Sequence, residues 1–502
     1  MNDPRGSLWR KWDLHVHTPD SLVHNYTGPD PWDRFLSEIE SLPPEFKVIG
    51  VNDYIFLTGY KRVLEERAKG RLANIDLFLP VIELRLDKFG GSAGHLSRVN
   101  CHVIFSNELK PELIEQQFLN ALSSKYVLSP QYDDIRKSGK WAALPTPNSL
   151  EDLGKMIIES VPVKEREKFG SPLIEGFNNL CISFDTVREV LRSHYFEDKF
   201  ITSVGKTEWA AIKWNDHSIA EKKTIINDAD LVFISAESVD DWRKAKQHLS
   251  DSGVNDRLLD CSDAHWFSDA NDKDRLGNCF TWIKADPTFQ GLMQVLKELN
   301  GRVFVGDNPL ALVQVKDNTT KYIKNIRIER KPDSTLGEVW FDNDIPFNPG
   351  MVAIIGNKGK GKSALTDILG LLCNTKQHGD FTFLSDDNFR QPKNNKAKHF
   401  RATLTWVSDT TVTKGLEEQV DETQPELVKY IPQNFLEKIC TQLGRIEESD
   451  FDHELKKVIF SHVDISDQLN KGSFDDLITY MTSEATTKIQ YLTVELHPSV
   501  SI

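Results

Sequence analysis

The chain has 502 residues, 39% of them hydrophobic and 27% charged, with a formal net charge of −14. It reads as a folded chain too long for one ordinary core, so two or three domains are expected. The acidic balance argues against a uniformly basic nucleic-acid binder, and the clusters at 327–331 and 393–398 read as solvated faces that leave room for a local basic patch. Six cysteines are scattered singly with no C-x-x-C, which suits core residues of a reducing compartment better than a disulfide frame or zinc knuckle. The opening MNDPRGSLWRKWDLHVH has no apolar leader-like run, and no later run could span a bilayer. A cytoplasmic protein without membrane contact is expected.

In chain order, the first stretch with chemistry in it is W-D-L-H-V-H-T-P, containing His15 and His17. Residues two apart on a strand share a face, so these imidazoles can share one cation. Alone, the pair is a weak signal, and two solvent-facing histidines are the commoner explanation. A β-branched run at 47–51 ends at Asn52, Asp53 and Tyr54. The apolar run 77–84 carries Glu83, the run 98–105 carries His102, and L-L-D-C-S-D-A-H ends with Asp263 and His265. Helical spacing fills 32–41, 59–68, 109–122, 184–194 and 239–249 between the strands. Alternating strands and helices predict a parallel sheet or barrel. Metal-competent residues in or just past several strands match the active face of a (β/α) barrel.

The order D-L-H-V-H-T, an Asp-containing turn, a lone Glu, a lone His and S-D-A-H resembles the polymerase and histidinol phosphatase (PHP) superfamily over about the first three hundred residues. The resemblance implies a distorted (β/α)7 barrel with two or three metal ions that hydrolyses phosphate esters or cleaves nucleic acid. It implies His15, His17, Glu83 and Asp263 around one metal, Glu83 bridging to a second that takes His102, and His265 facing a third. Two positions depart from the pattern. The turn that usually reads T-D-H is Asn52-Asp53-Tyr54, and a neutral phenol is a poor ligand beside imidazoles; His24 is a candidate substitute. The strand 200–204 leads into Gly205 and Lys206 with no histidine, leaving Lys206 or Glu208 for that place, while His194 reads as a helix-end residue. Mixed His and carboxylate ligation suits Zn²⁺, Mn²⁺ or Fe²⁺ more than Mg²⁺ or Ca²⁺. Such a site implies attack of activated water on phosphorus.

Beyond Asp307 the character changes. Residues 321–330 alternate apolar and charged side chains and read as an edge strand; 337–344, 381–384 and 401–407 read as further strands of an antiparallel sheet. The run 352–355 reads as a buried strand opening onto Gly356, Asn357, Lys358, Gly359, Lys360, Gly361, Lys362 and Ser363. This is the G-x-x-x-x-G-K-[ST] phosphate loop, and Ala364, Leu365, Ile368, Leu369 and Leu372 follow at helical spacing. Glycines let backbone N–H groups close on a triphosphate, and the helix N-terminus adds favourable partial charge. Lys362 is placed for the β/γ-phosphates and Ser363 for Mg²⁺, so Mg-ATP is the expected ligand. The strand expected at 428–433 resembles the Q-loop of ABC and SMC-like ATPases, which implies that Gln433 touches Mg²⁺ and the attacking water. Neither L-S-G-G-Q nor a Walker B acid follows. The expectation is an N-terminal ATPase lobe over 311–480, then a coiled-coil start or tail over 481–502, with the second lobe coming from a homodimer or a partner chain.

The barrel motifs, T-W-I-K-A-D-P-T-F at 281–289 and G-N-K-G-K-G-K-S together resemble the TrlF family, a PHP-like phosphoesterase fused to an ABC/SMC-like, AAA-type ATPase. That implies an ATP-regulated, metal-dependent nuclease working on nucleic acid in DNA repair or in defence against mobile elements. A small-molecule or nucleotide phosphatase is the alternative that the acidic balance favours, and a decayed ATP-binding scaffold or sensor is the other.

Overall fold

The computed structural model describes residues 3–92, 95–139, 141, 143–205, 219–432 and 450–496. The chain divides into two compact units, Met1–Tyr322 with Pro346–Met351 and Ile323–Ile345 with Val352–Ile502. It is a mixed α/β protein.

The first unit is organised by β1 (Leu8–Val16), β2 (Phe46–Asn52), β3 (Leu77–Ser92) and β4 (His95–Phe105). A small pair, β5 (Val127–Leu128) and β6 (Leu180–Cys181), stands apart. The main sheet continues with β7 (Phe200–Gly205), β8 (Leu231–Ile234), β9 (Leu258–Asp260), β10 (Thr281–Ala285) and β11 (Val303–Val305). The nine-stranded order is β11-β10-β1-β2-β3-β4-β7-β8-β9. Just past β9, Val16 bridges Ala264 and the Ser262 N–H donates to the Asp13 carboxylate at 3.0 Å. The sheet thereby nearly closes into a barrel. It is mixed, not parallel as the strand and helix alternation predicts. β3 and β4 are separated by two residues, too few for a crossover, so they pair antiparallel.

Period-2 alternation decides what fills the barrel. Leu77, Leu79 and Val81 of β3 cluster with Ile104 of β4, Ile201 of β7, Leu231 and Phe233 of β8 and Trp12 and Leu14 of β1. The opposite faces pack on the surrounding helices. The helix Pro31–Glu40 shows why: Asp30 caps it by accepting the Asp33 N–H at 3.0 Å, and Trp32, Phe35, Leu36 and Ile39 repeat at helical spacing on the buried side. Each such side chain contributes about 1.5–3 kcal/mol by leaving water. Gly50 is required on β2, because a Cβ there would lie 2.3 Å from the Leu14 carbonyl oxygen.

In the second unit, β12 (Ile323–Arg330), β13 (Asn343–Pro346), β14 (Phe400–Trp406) and β15 (Thr411–Gly415) form an antiparallel sheet in the order β13-β12-β14-β15. β12 is thus internal and not an edge strand. Only the last residues of the strand expected at 337–344 pair, as β13. The helix Lys362–Leu372 buries Ile368, Leu371 and Leu372. Residues 381–384 turn instead of forming a strand. The reason is Asp367, whose buried carboxylate takes the N–H groups of Phe383 (2.7 Å) and Leu384 (3.2 Å) and the Tyr430 hydroxyl. Those amides are then not free for a ladder.

The run 352–355 is corrected most sharply. It forms no strand, and Met351 and Ile355 are 95% and 90% exposed. Among the described residues no strand lies beside it, and an isolated strand cannot satisfy its own backbone. The described part of 428–433 is likewise irregular, and the expected arm lies in a helix, Phe474–Leu496, that exposes Met481, Ile489 and Tyr491. No described helix is long and apolar enough to cross a membrane.

Candidate metal centre

On β3 and β4 the barrel interior changes from apolar to polar as the mouth is approached. On β3, Leu79 and Val81 give way to Glu83 and Arg85 on the same face; on β4, Ile104 gives way to His102 and Asn100. Glu83 pairs directly across the ladder with His102, and Arg85 with Asn100. On β1 the register against β2 shifts between Asp13 and Val16, and from this irregularity His15 and His17 reach the same mouth. Asp263 and His265 arrive from the turn after β9. Asp263 holds a left-handed φ of 47° and Tyr54, opposite, one of 58°; such strain in non-glycine residues persists where surrounding structure enforces it.

The distances are those of one cluster. His15 Nε2 lies 3.0 Å from His17 Nε2, 3.1 Å from Asp263 Oδ1 and 3.4 Å from Glu83 Oε2. His17 Nε2 is 3.3 Å from Asp263 Oδ1 and 3.8 Å from Glu83 Oε2, and His102 Nε2 is 3.7 Å from Glu83 Oε2. The groups His15, His17, Glu83 and His17, Asp263, His265 each place one ligand atom per residue within 4.8 Å of the others, close enough to hold a metal ion. His102 is 2% exposed, yet neither of its ring nitrogens has a hydrogen-bond partner. A buried polar group left unpaired is costly, and a cation beside Glu83 would satisfy it. The residues therefore fit a divalent metal.

Neighbours hold the ligands in place. The Tyr54 N–H donates to Asn52 Oδ1 at 3.0 Å, which fixes the amide so that its Nδ2 donates to Glu83 Oε2 (2.8 Å) and faces His15 Nε2 (2.6 Å). His17 Nδ1 is bonded to Ser21 Oγ at 2.9 Å. Outer contacts of this kind orient metal ligands. His265 is held differently: Nδ1 bonds the Asp263 carbonyl at 2.6 Å and Nε2 the Tyr54 hydroxyl at 3.0 Å. Both of its nitrogens are engaged, so a third cation would have to take Nε2 from Tyr54.

The electrostatics favour a cation as well. Burial alone would raise Glu83, but the imidazoles of His102 and His15 beside it outweigh that and hold the carboxyl well below its ordinary value. Burial would also raise Asp263, and His15 and His17 reverse that. Burial lowers His17 to about 3, helped by His265, and lowers His102 with help from His15. His15 alone goes up, to about 9: burial opposes this, but the Asp263 and Glu83 carboxylates prevail. Two carboxylates and two neutral imidazoles thus gather around a single proton on His15, in the place where a cation would discharge the same negative charge.

Several candidates lie elsewhere. Asp53 faces away and accepts from the Thr18 N–H (3.0 Å) and hydroxyl (2.9 Å), its carboxyl raised by burial to about 7. His24 accepts the Tyr26 N–H at 3.2 Å and is outside the clustered groups. His194 packs on Tyr195 in a short 3-10 turn. Lys206, Glu208 and Gln433 lie outside the described residues. Asn52, Ser21, Arg85 and Asn100 are the contributors that motif spacing missed. Arg85 and Asn100 were findable, since each sits two residues from a candidate ligand on a strand.

The phosphate-loop residues lie together in the second unit. Gly356, Gly359 and Gly361 have φ of 155°, 81° and 89°, values that favour glycine. The Lys362 ammonium donates to the carbonyls of Gly356 (2.7 Å) and Asn357 (3.1 Å), so the loop curls around its own lysine. Asn357, Lys358, Lys360 and Ser363 are exposed, with Ser363 in the first turn of the helix. No known family model matches the chain, and no curated protein sequence matches it.

Proposed function

We propose that the first unit is a metal-dependent phosphoesterase, a nuclease acting on nucleic acid, regulated by Mg-ATP at the glycine loop of the second. One observation carries the reading: three imidazoles and two carboxylates, remote in sequence, meet at one barrel mouth with both nitrogens of His102 unpaired. The seven strands from β1 to β9 between the closing contacts of Val16 and Ala264 support a PHP-like barrel.

His15, His17, Glu83, His102 and Asp263 would hold the cations, Zn²⁺ or Mn²⁺ by donor type. When bound, divalent metal supplies charge stabilisation to phosphoryl oxygens and acidifies water. The protein's part is to keep Glu83 and Asp263 ionised and His17 and His102 neutral, to aim Glu83 through Asn52, and to hold His17 through Ser21. In the second unit, the loop amides and Lys362 would bind the β/γ-phosphates and Ser363 Mg²⁺.

The test is elemental analysis of the purified chain, with cleavage assays on DNA, RNA, tRNA and a small phosphate ester in Mn²⁺ or Zn²⁺. Metal at one or two equivalents and activity lost in His17→Ala are expected. Phosphodiester cleavage unchanged by His17→Ala rejects this centre as the catalyst. The cleft volume of about 200 Å³ favours a second reading, a phosphatase of small esters, because it is below the usual size of ligand pockets. Turnover of the small ester alone would select it.

A further inference from the structure

Arg85 lines the same cleft as the cluster, but it is no metal ligand and its bonding is incomplete. One Nη1 hydrogen bond goes to a neutral group, Asn100 Oδ1, at 2.6 Å. The nearest carboxylate oxygen, Glu83 Oε1, is 3.5 Å from Nη1, an ion pair longer than an ordinary hydrogen bond. Nε is buried without any acceptor, and Nη2 makes no hydrogen bond among the described residues. The guanidinium carbon stands 4.9 Å from the Phe177 ring centre and 5.5 Å from that of Tyr54, and those two rings are 4.8 Å apart. Stacking and the Asn100 bond therefore fix the plane of the fork while leaving donors unspent. A residue serving only to neutralise Glu83 would turn its fork onto that carboxylate, as arginine does when geometry allows. Here Glu83 turns Oε2 to the imidazoles and Asn52, and Arg85 is held off to the side.

We propose that Arg85 is the receptor for a phosphate oxygen that does not face the metal ligands, and that it biases the site toward a terminal phosphate. This rests on the phosphoesterase reading. A diester has two non-bridging oxygens, and both are used up if they face the imidazole and carboxylate cluster. A monoester has three, so one remains for a donor on the other side, and its second negative charge rewards a fixed guanidinium. The class that Arg85 favours over an internal diester is a phosphomonoester, which within the phosphoesterase reading is either a small ester or the phosphorylated end at which a nuclease would act.

The experiment uses the full chain, metal-loaded, with inorganic phosphate as the probe. Calorimetry should show Arg85→Gln weakening phosphate binding at least tenfold, with metal content equal to wild type. In parallel, kcat/KM for p-nitrophenyl phosphate relative to bis(p-nitrophenyl) phosphate should fall at least tenfold, through KM. Arg85→Lys, which keeps the charge and loses the fork, should fall between the two and serves if the glutamine variant fails to fold. Unchanged phosphate affinity in either folded variant overturns the proposal. So does a parallel loss of metal, which would make Arg85 a support for Glu83, and so does an unchanged ratio of the two esters. A wild-type chain that holds metal and cleaves diesters but binds no phosphate overturns this proposal alone; a chain that holds no metal overturns the phosphoesterase reading instead.

Discussion

The two candidate sites are built in opposite ways. The centre in the first unit draws on β1 to β4 and the turn after β9, and cross-strand pairs such as Glu83 with His102 give it its shape. The loop in the second unit is eight consecutive residues shaped by three glycine φ angles and the start of one helix. A contiguous motif brings its own local geometry but not the sheet that anchors it, so the loop forms while residues 352–355 stay unpaired. A dispersed constellation has no geometry until the sheet supplies it, and once supplied it is buried and held from several sides.

The largest expected effect separates the sites outright. Glu83→Gln removes a charge from the point where four ligand candidates meet. Bound metal should be lost and cleavage should fall by about 10³-fold or more, read by elemental analysis and initial rates. Lys362→Ala should do the reverse, weakening ATP binding by about 100-fold with the metal content of the first unit intact. Loss of barrel metal in Lys362→Ala would break the comparison.

A smaller effect tests how the dispersed site is held. Asn52 touches Glu83 and His15 without being a ligand candidate, so Asn52→Ala should cost about 10–100-fold in metal affinity, measured by competition with a chelator. An unchanged affinity would mean that the ladder alone orients Glu83.

The pH dependence is smaller again, per unit. His15 is raised from its ordinary 6.5 to about 9, so in the metal-free protein it carries its proton at pH 7. Its pairing with Asp263 and Glu83 stabilises the metal-free fold fully below about pH 6.5 and is lost as pH rises through about 9. A cation must displace that proton, so metal affinity should rise about tenfold per unit between pH 7 and 9 and then level off. Calorimetry at pH 7 in two buffers of different ionisation enthalpy should show about one proton released. Release of none would place the proton elsewhere.

These cases explain what was legible. Apolar runs and helical spacing located the barrel strands and most helices, because burial on both faces leaves a plain pattern at 47–51 or 77–84. The ligand candidates were legible as residue types at strand ends, and His15, His17, Glu83, His102, Asp263 and His265 do converge. Asn52 was not, because an amide at a strand end has no signature until the ligand it supports is known, and Arg85 was marked only by its place two residues from Glu83. Residues 381–384 were misread as a strand because the Asp367 carboxylate that takes their amides lies on a helix, at a separation no local pattern encodes. The antiparallel β3 and β4 pair hides in the same way: period 2 marks a strand without marking its direction.

The smallest effect bears on the anchor of the loop. Ile355 looks like core by composition, yet it is 90% exposed, whereas Leu79 of β3 is 0% exposed. Leu79→Ala should cost about 2–5 kcal/mol through lost transfer energy and the cavity left behind. Ile355→Asp, in the chain alone, should cost less than about 0.5 kcal/mol, because no packing is removed. Both are read by denaturant unfolding with separate probes for the two units. A large penalty for Ile355→Asp would mean that the run is covered by something in solution, and its dependence on protein concentration would tell a second copy from a contact within the chain.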